Sequence, residues 1–207
     1  VSVNPVSFQI VSTNAARRND FFDQVMDEHL QVAARTKETM GPVFFDLVDV
    51  CLKAICAGNK LMFFGNGGSA ADAQHLATEL TVRFVKDRRA LPALALTTDT
   101  STLTAAANDM GFETVFSRQL EALGRPGDVA IGISTSGKSP NVLKAFDIAK
   151  KMGLVTVGFT GKDGGDLQRM CDVLLIVPSH ITSHIQEMHI TLGQMLCGAL
   201  ERELGLV

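Results

Sequence analysis

Five short apolar runs, four of them followed by a stretch with helical spacing, constrain this chain more than any other feature. They are KLMFFG (60–65), LPALALTT (91–98), GDVAIGIS (127–134), LVTVGFT (154–160) and DVLLIVP (172–178). Helix-like segments between and after them fall at about 69–83, 113–123, 139–152 and 183–204. A strand with one wet face alternates polar and apolar residues; near-continuous apolar strands need cover on both faces. The pattern therefore predicts an α/β domain built on a doubly wound, five-stranded parallel sheet. Two N-terminal helices precede it, at 20–39 and 42–57, the second carrying Val43, Phe44, Leu47, Val50, Cys51 and Ala54 before Gly58.

No repeat, linker or low-complexity block interrupts the 207 residues, so the expected division is a flexible tail at 1–19 and one domain at 20–207. A formal net charge of −3 argues against nucleic-acid or membrane partners. No apolar run approaches the ~20 residues that span a bilayer, and the first residues lack a basic-then-apolar leader. Cys51, Cys56, Cys171 and Cys197 form no CxxC pair. They read as small buried hydrophobes in a reducing compartment, which makes the cytoplasm the expected location.

In a doubly wound sheet, ligands bind beyond the carboxyl ends of the strands. The unusual residues of this chain sit there. The first run is followed by Asn66, Gly67, Gly68 and Ser69 at a helix start, which presents free backbone N–H groups to an anion; the plainer reading is a tight turn capped by Ser69. Neither a dinucleotide fingerprint nor a P-loop is present. After the third run, Ser134, Thr135, Ser136, Gly137, Lys138 and Ser139 place four hydroxyls in six residues. A capped helix needs one of them, whereas a phosphate can use them all. The second run ends in a polar cluster whose Asp99 either orients sugar hydroxyls or caps the next helix.

His75 and Glu79, four apart on one helix face, can hold a divalent metal, act as an acid–base pair, or simply form a surface pair. The last helix opens with a capping-box pattern from Ser183 to Gln186. His180, His184 and His189 fall within ten residues, but His184 and His189 stand about 140° apart round the axis. Structural roles are expected for at least two of them.

The segments CAGNKLMFFGNGGSAADAQHLATEL, LPALALTTDTSTLTAAANDMGFETVFSRQ, GDVAIGISTSGKSPNV, VGFTGKDGG and HIQEMHITLGQMLCGALE, in that order, resemble the phosphoheptose isomerases of the sugar isomerase (SIS) family. The resemblance implies a flavodoxin-like SIS sheet and a homotetramer with active sites between subunits. It also implies conversion of sedoheptulose 7-phosphate to glycero-manno-heptose 7-phosphate, a step that supplies lipopolysaccharide or another glycan. By the same likeness Ser134, Thr135, Ser136 and Ser139 take the phosphate, and Asn66, the following glycines, Ser69 and Asp99 lie near the sugar. Zn2+ would sit on His75 and Glu79, with Gln186 contributing to its shell.

At the next position of that shell the family carries a histidine that is both metal ligand and proposed acid–base catalyst, with the glutamate as partner. Here it is Gln194. An amide can offer a carbonyl oxygen to a metal but cannot exchange a proton near neutral pH. Gln186 and Gln194 are also about 12 Å apart along the helix and about 80° apart around it. If both serve one metal, they must come from different subunits. Two readings stand: an isomerase using Glu79 and the Gln194 position, or a non-catalytic SIS protein that binds the replication initiator or senses sugar phosphates.

Overall fold

The computed structural model describes residues 15–207, so most of the expected tail at 1–19 lies outside the described residues. Helix α1 (Ala15–Thr39) begins five residues ahead of the start expected at Asp20. Helix α2 (Gly41–Cys56) follows, with Pro42 in its first turn, where a missing N–H has no intrahelical partner to lose. The chain then alternates through β1 (Leu61–Gly65), α3 (Gly68–Thr81), β2 (Ala93–Ala95), α4 (Thr100–Met110), α5 (Ser117–Leu123), β3 (Val129–Ile133), α6 (Pro140–Lys151), β4 (Val155–Gly161), β5 (Val173–Val177) and α7 (Thr182–Glu203).

All five strands are parallel, in the order β2-β1-β3-β4-β5. Two apolar layers cover the sheet. Leu61 and Phe63 of β1 pack with Leu47, Leu76 and Leu196 from α2, α3 and α7. Met62 and Phe64 point the other way, into Phe116, Leu120 and Phe146 beside α5 and α6. The order reverses between β1 and β3, and the loops leaving those two strands diverge to opposite faces. That divergence opens the crevice in which such folds bind ligands.

Helix α4 was not expected from spacing. Its sequence TSTLTAAANDM is rich in β-branched threonine and buries only Ala106, so no apolar stripe reveals it. Strand β2 is shorter than its apolar run: Pro92 lacks a donor, and the Leu91 N–H bonds to the Leu80 carbonyl at the end of α3 instead of a strand. The expected capping box at Ser183 does not form. Ile181 occupies the cap position of α7, with no side-chain cap bond. Cys51 and Cys197 are buried as expected, whereas Cys171 is half-buried and Cys56 is exposed.

Candidate active site at the carboxyl edge of the sheet

Two loops meet at the switch point. Asn66, just after β1, and Asn141, in the first turn of α6, exchange a reciprocal pair of amide hydrogen bonds of 2.8 and 2.9 Å. The loop after β3 is thereby tied to the loop after β1, and a cleft lined by Asn66, Phe112, Glu113, Ser139, Pro140 and Asn141 opens there. Strand β1 must end in glycine. A Cβ at Gly65 would lie 2.7 Å from the Ile133 carbonyl and 2.8 Å from Ser69 Cβ.

Neither helix start has a side-chain cap bond. Gly67 (φ +57°) occupies the cap position of α3, while Ser69 is buried one residue inside the helix. Ser139 occupies the cap position of α6 without a side-chain cap bond; its Oγ lies 2.9 Å from Ser134 Oγ. The hydroxyls are therefore not consumed by capping. Lys138 N–H donates to Ser136 Oγ, and the N–H groups of Thr135 and Ser136 have no partner among the described residues. Hydroxyls and unpaired amides at the start of α6 form a nest suited to phosphate oxygens.

That nest rests on a second loop. Gly137 (φ +65°) leaves its carbonyl free to accept from Asp166 N–H at 3.0 Å, and a Cβ there would collide with the Gly164 carbonyl. Gly165 is held to glycine from the other side, since a Cβ there would lie 2.5 Å from the Ser136 carbonyl; the last two glycines of the VGFTGKDGG segment are thus packing requirements of the serine loop.

Helices α3 and α7 run side by side in the same direction. Gly68 packs on Gln186, where a Cβ would meet Nε2 at 2.6 Å, and Gly193 packs on Leu76, where a Cβ would meet Cδ1 at 2.5 Å. Gln186 therefore sits at the mouth of the glycine loop, and Gln194 lies two turns on, level with His75 and Glu79. His75 Nε2 is 3.0 Å from Glu79 Oε1, with His75 half exposed. The pair offers the nitrogen and carboxylate that zinc takes, and in that respect fits the metal. Within one chain Gln186 stands about 10 Å along α3 from His75, so the four expected ligands do not converge on one point.

Asp99 caps α4, accepting from Thr102 N–H (3.0 Å) and Thr102 Oγ1–H (2.7 Å); these bonds hold its carboxyl below the usual range. It lines a separate cleft with Thr98 and Arg118. The histidines near α7 divide as expected. His189 is fully buried against Thr160 O, His184 lies buried between Glu28 and Glu187, and His180 is exposed.

Three residues of this region were not singled out by sequence. Asn141 carried no signal beyond its place in the motif. Asp72, one turn before His75, buries Oδ2 without a partner, and that desolvation pushes its carboxyl up despite the nearby His75. Arg88 forms a buried ion pair with Glu201 (2.8 Å) and donates to the Glu79 carbonyl (2.7 Å), securing the end of α3 that carries Glu79.

The SIS domain description matches residues 20–161. The phosphoheptose isomerase of Paramagnetospirillum magneticum is 59% identical over 181 residues, spanning 87% of this chain and 94% of that protein. That of a Roseiflexus species is 51% identical over 90% of this chain and 96% of its own. Among solved structures, the phosphoheptose isomerase of Neisseria gonorrhoeae superposes with a TM-score of 0.85 at 40% identity, covering 89% of this chain and 98% of its own. The chain belongs to the phosphoheptose isomerase family of SIS-domain proteins.

Proposed function

We propose that this chain is an aldose–ketose isomerase that interconverts sedoheptulose 7-phosphate and D-glycero-D-manno-heptose 7-phosphate in heptose biosynthesis. The observation that carries the proposal is 59% identity across 94% of a relative bearing that activity's name. The uncapped serine loop and the free glycine turn support it.

In this reading Ser134, Thr135, Ser136 and Ser139 hold the phosphate through hydroxyls and backbone N–H groups. Asn66, Gly67, Gly68, Ser69 and Gln186 line the sugar. Glu79 takes the C1 proton of the open-chain ketose and returns it to C2 of the enediol. Zn2+, held by His75 and Glu79 with Gln186 and Gln194 from different subunits, would polarise the developing enolate oxygen. The hydroxyl proton must still pass from O1 to O2, which Gln194 cannot do. Water or a group on a neighbouring subunit carries it.

A site shared between subunits requires assembly, and we assign a homotetramer. Phe22, Met26 and Leu30, spaced by four on α1, support that reading by leaving an apolar stripe exposed beside Phe21. Four free cysteines agree with action in the cytoplasm, and no described helix is long and apolar enough to cross a membrane.

Turnover of sedoheptulose 7-phosphate by the metal-free and zinc-loaded chain, beside Gln194→His and Glu79→Gln, is the decisive test. The unaltered chain is expected to turn over, Gln194→His to be faster, and Glu79→Gln to lose at least ~100-fold in kcat. Full activity in Glu79→Gln would remove Glu79 from the proton path. Gln194 itself favours one other reading, a protein that binds sugar phosphate without converting it. Binding without turnover, with activity appearing only in Gln194→His, would establish that one.

A further inference from the structure

Away from the serine loop and the His75–Glu79 pair, α1 and the first turn of α7 bring together a second group of ligating side chains. His184 and Glu187, three apart on α7, share a face. His29 of α1 reaches them from across the helix pair. Glu187 Oε2 lies 2.8 Å from His29 Nδ1 and 2.9 Å from His184 Nδ1, and the three donor atoms all fall within 4.8 Å of one another. Among the described residues this is the one cluster of three or more histidines, cysteines or carboxylates with that geometry.

We propose that His29, His184 and Glu187 form a binding site for a divalent transition metal, distinct from the one assigned to His75 and Glu79, which fastens α1 to the start of α7. Two imidazole nitrogens and one carboxylate oxygen are a donor set that suits zinc or cobalt and not magnesium or calcium. Tetrahedral bonds of about 2.0–2.1 Å place neighbouring ligand atoms about 3.3 Å apart. The two short separations at Glu187 therefore need to open by only about half an ångström.

The surroundings supply what such a site needs. Glu28 Oε2 stands 3.3 Å from the other ring nitrogen of His184. A carboxylate in that position holds the Nε2–H tautomer and turns the Nδ1 lone pair towards the ion. Glu28 and Glu187 together balance a divalent charge. His184 is 4% exposed and rigidly held, whereas His29 and Glu187 are 33% and 40% exposed. The partial exposure of His29 and Glu187 gives an ion its route from solvent and a place for water as fourth ligand, while a cleft lined by Glu28, Arg35 and His180 lies behind His184, on the Nε2 side. The site goes beyond the isomerase reading and does not depend on it.

The test uses the full chain carrying His75→Ala and Glu79→Gln, so that the first metal position is absent from every sample. The metal-stripped protein is titrated with Co2+, followed by d–d absorption and by metal analysis, and its Tm is read with and without Zn2+. The expected result is one bound equivalent, with a zinc-dependent rise in Tm. His29→Ala should abolish both. Glu28→Gln should weaken binding roughly 10–100-fold, as expected for a carboxylate that orients a ligating histidine. Because His29 is partly exposed on α1, its removal leaves the core intact, which circular dichroism of the metal-free variant checks. Failure to bind an equivalent, or binding that His29→Ala and Glu187→Gln leave unchanged, would overturn the proposal. Isomerase turnover is not read, so neither result bears on the catalytic assignment.

Discussion

At the scale of single residues, burial decides what a titratable group does, and the last helix shows both outcomes. His189 sits one turn from Gln186, yet its ring is sealed against Phe159 and bonded through Nε2 to Thr160 O. That burial pushes its pKa from 6.5 down to about 4. As the pH falls, the unfolded chain takes up a proton here before the folded chain does. The stability contributed is fully present above pH 6.5 and is lost as the pH falls from there to about 4. The shift corresponds to about 3 kcal/mol at most. His189→Asn, which keeps a donor for Thr160, is expected to flatten the acid limb of the stability curve between those pH values. Urea unfolding at pH 7 and pH 4.5 reads the difference; parallel losses in both proteins would contradict it. Sequence spacing could place His189 on the helix, but it could not show that the ring faces the sheet.

Secondary-structure elements set the shape of the candidate site through their ends. Asp99 is the clearest case, since cap and sugar contact were both open from sequence. It does cap α4, through Thr102 N–H and Oγ1–H. Asp99→Ala is expected to cost about 1 kcal/mol in urea unfolding and Asp99→Asn only a few tenths, because both Asp and Asn cap well. If Asp99 also meets the sugar, Asp99→Asn raises KM without that loss of stability. Gly137 tests the serine loop in the same way. Its positive φ and its contact with Gly164 leave no room for a Cβ, so Gly137→Ala must displace the loop. Displacement of a binding group by about 1 Å can cost ~100-fold, so sugar-phosphate affinity measured by calorimetry should fall at least tenfold. The sheet should remain intact by circular dichroism.

For the whole molecule, the described chain leaves large apolar side chains in solvent where a monomer would cover them. Phe21, Phe22 and Phe45 are each more than 60% exposed. Phe22→Glu together with Met26→Glu is expected to yield a smaller species by light scattering and to abolish turnover, since the proposed metal position needs amides from different subunits. An unchanged mass would show that this stripe is not the interface. The buried Arg88–Glu201 pair links α7 to the loop after α3 over a long stretch of sequence. Removing one partner leaves a buried charge unpaired, and Arg88→Leu should cost roughly 3–5 kcal/mol in urea unfolding.

Strand number, parallel sense and the loops that follow the carboxyl ends of the strands were legible from sequence because apolar runs and the loops after them are local features. The serine loop and the GNGGS turn were legible for the same reason, their chemistry being concentrated in consecutive residues. Helix α4 was hidden because one buried alanine makes no stripe, and β2 was overread because Leu91 is buried by α3 and not by strand pairing. Only the tertiary structure could pair Asn66 with Asn141, set Gln186 against Gly68, hold Glu79 through Arg88, or bring His29 to His184 and Glu187. Each of those contacts joins positions far apart along the chain, and their distances are fixed by how helices pack on the sheet. No period or motif in the sequence records that packing.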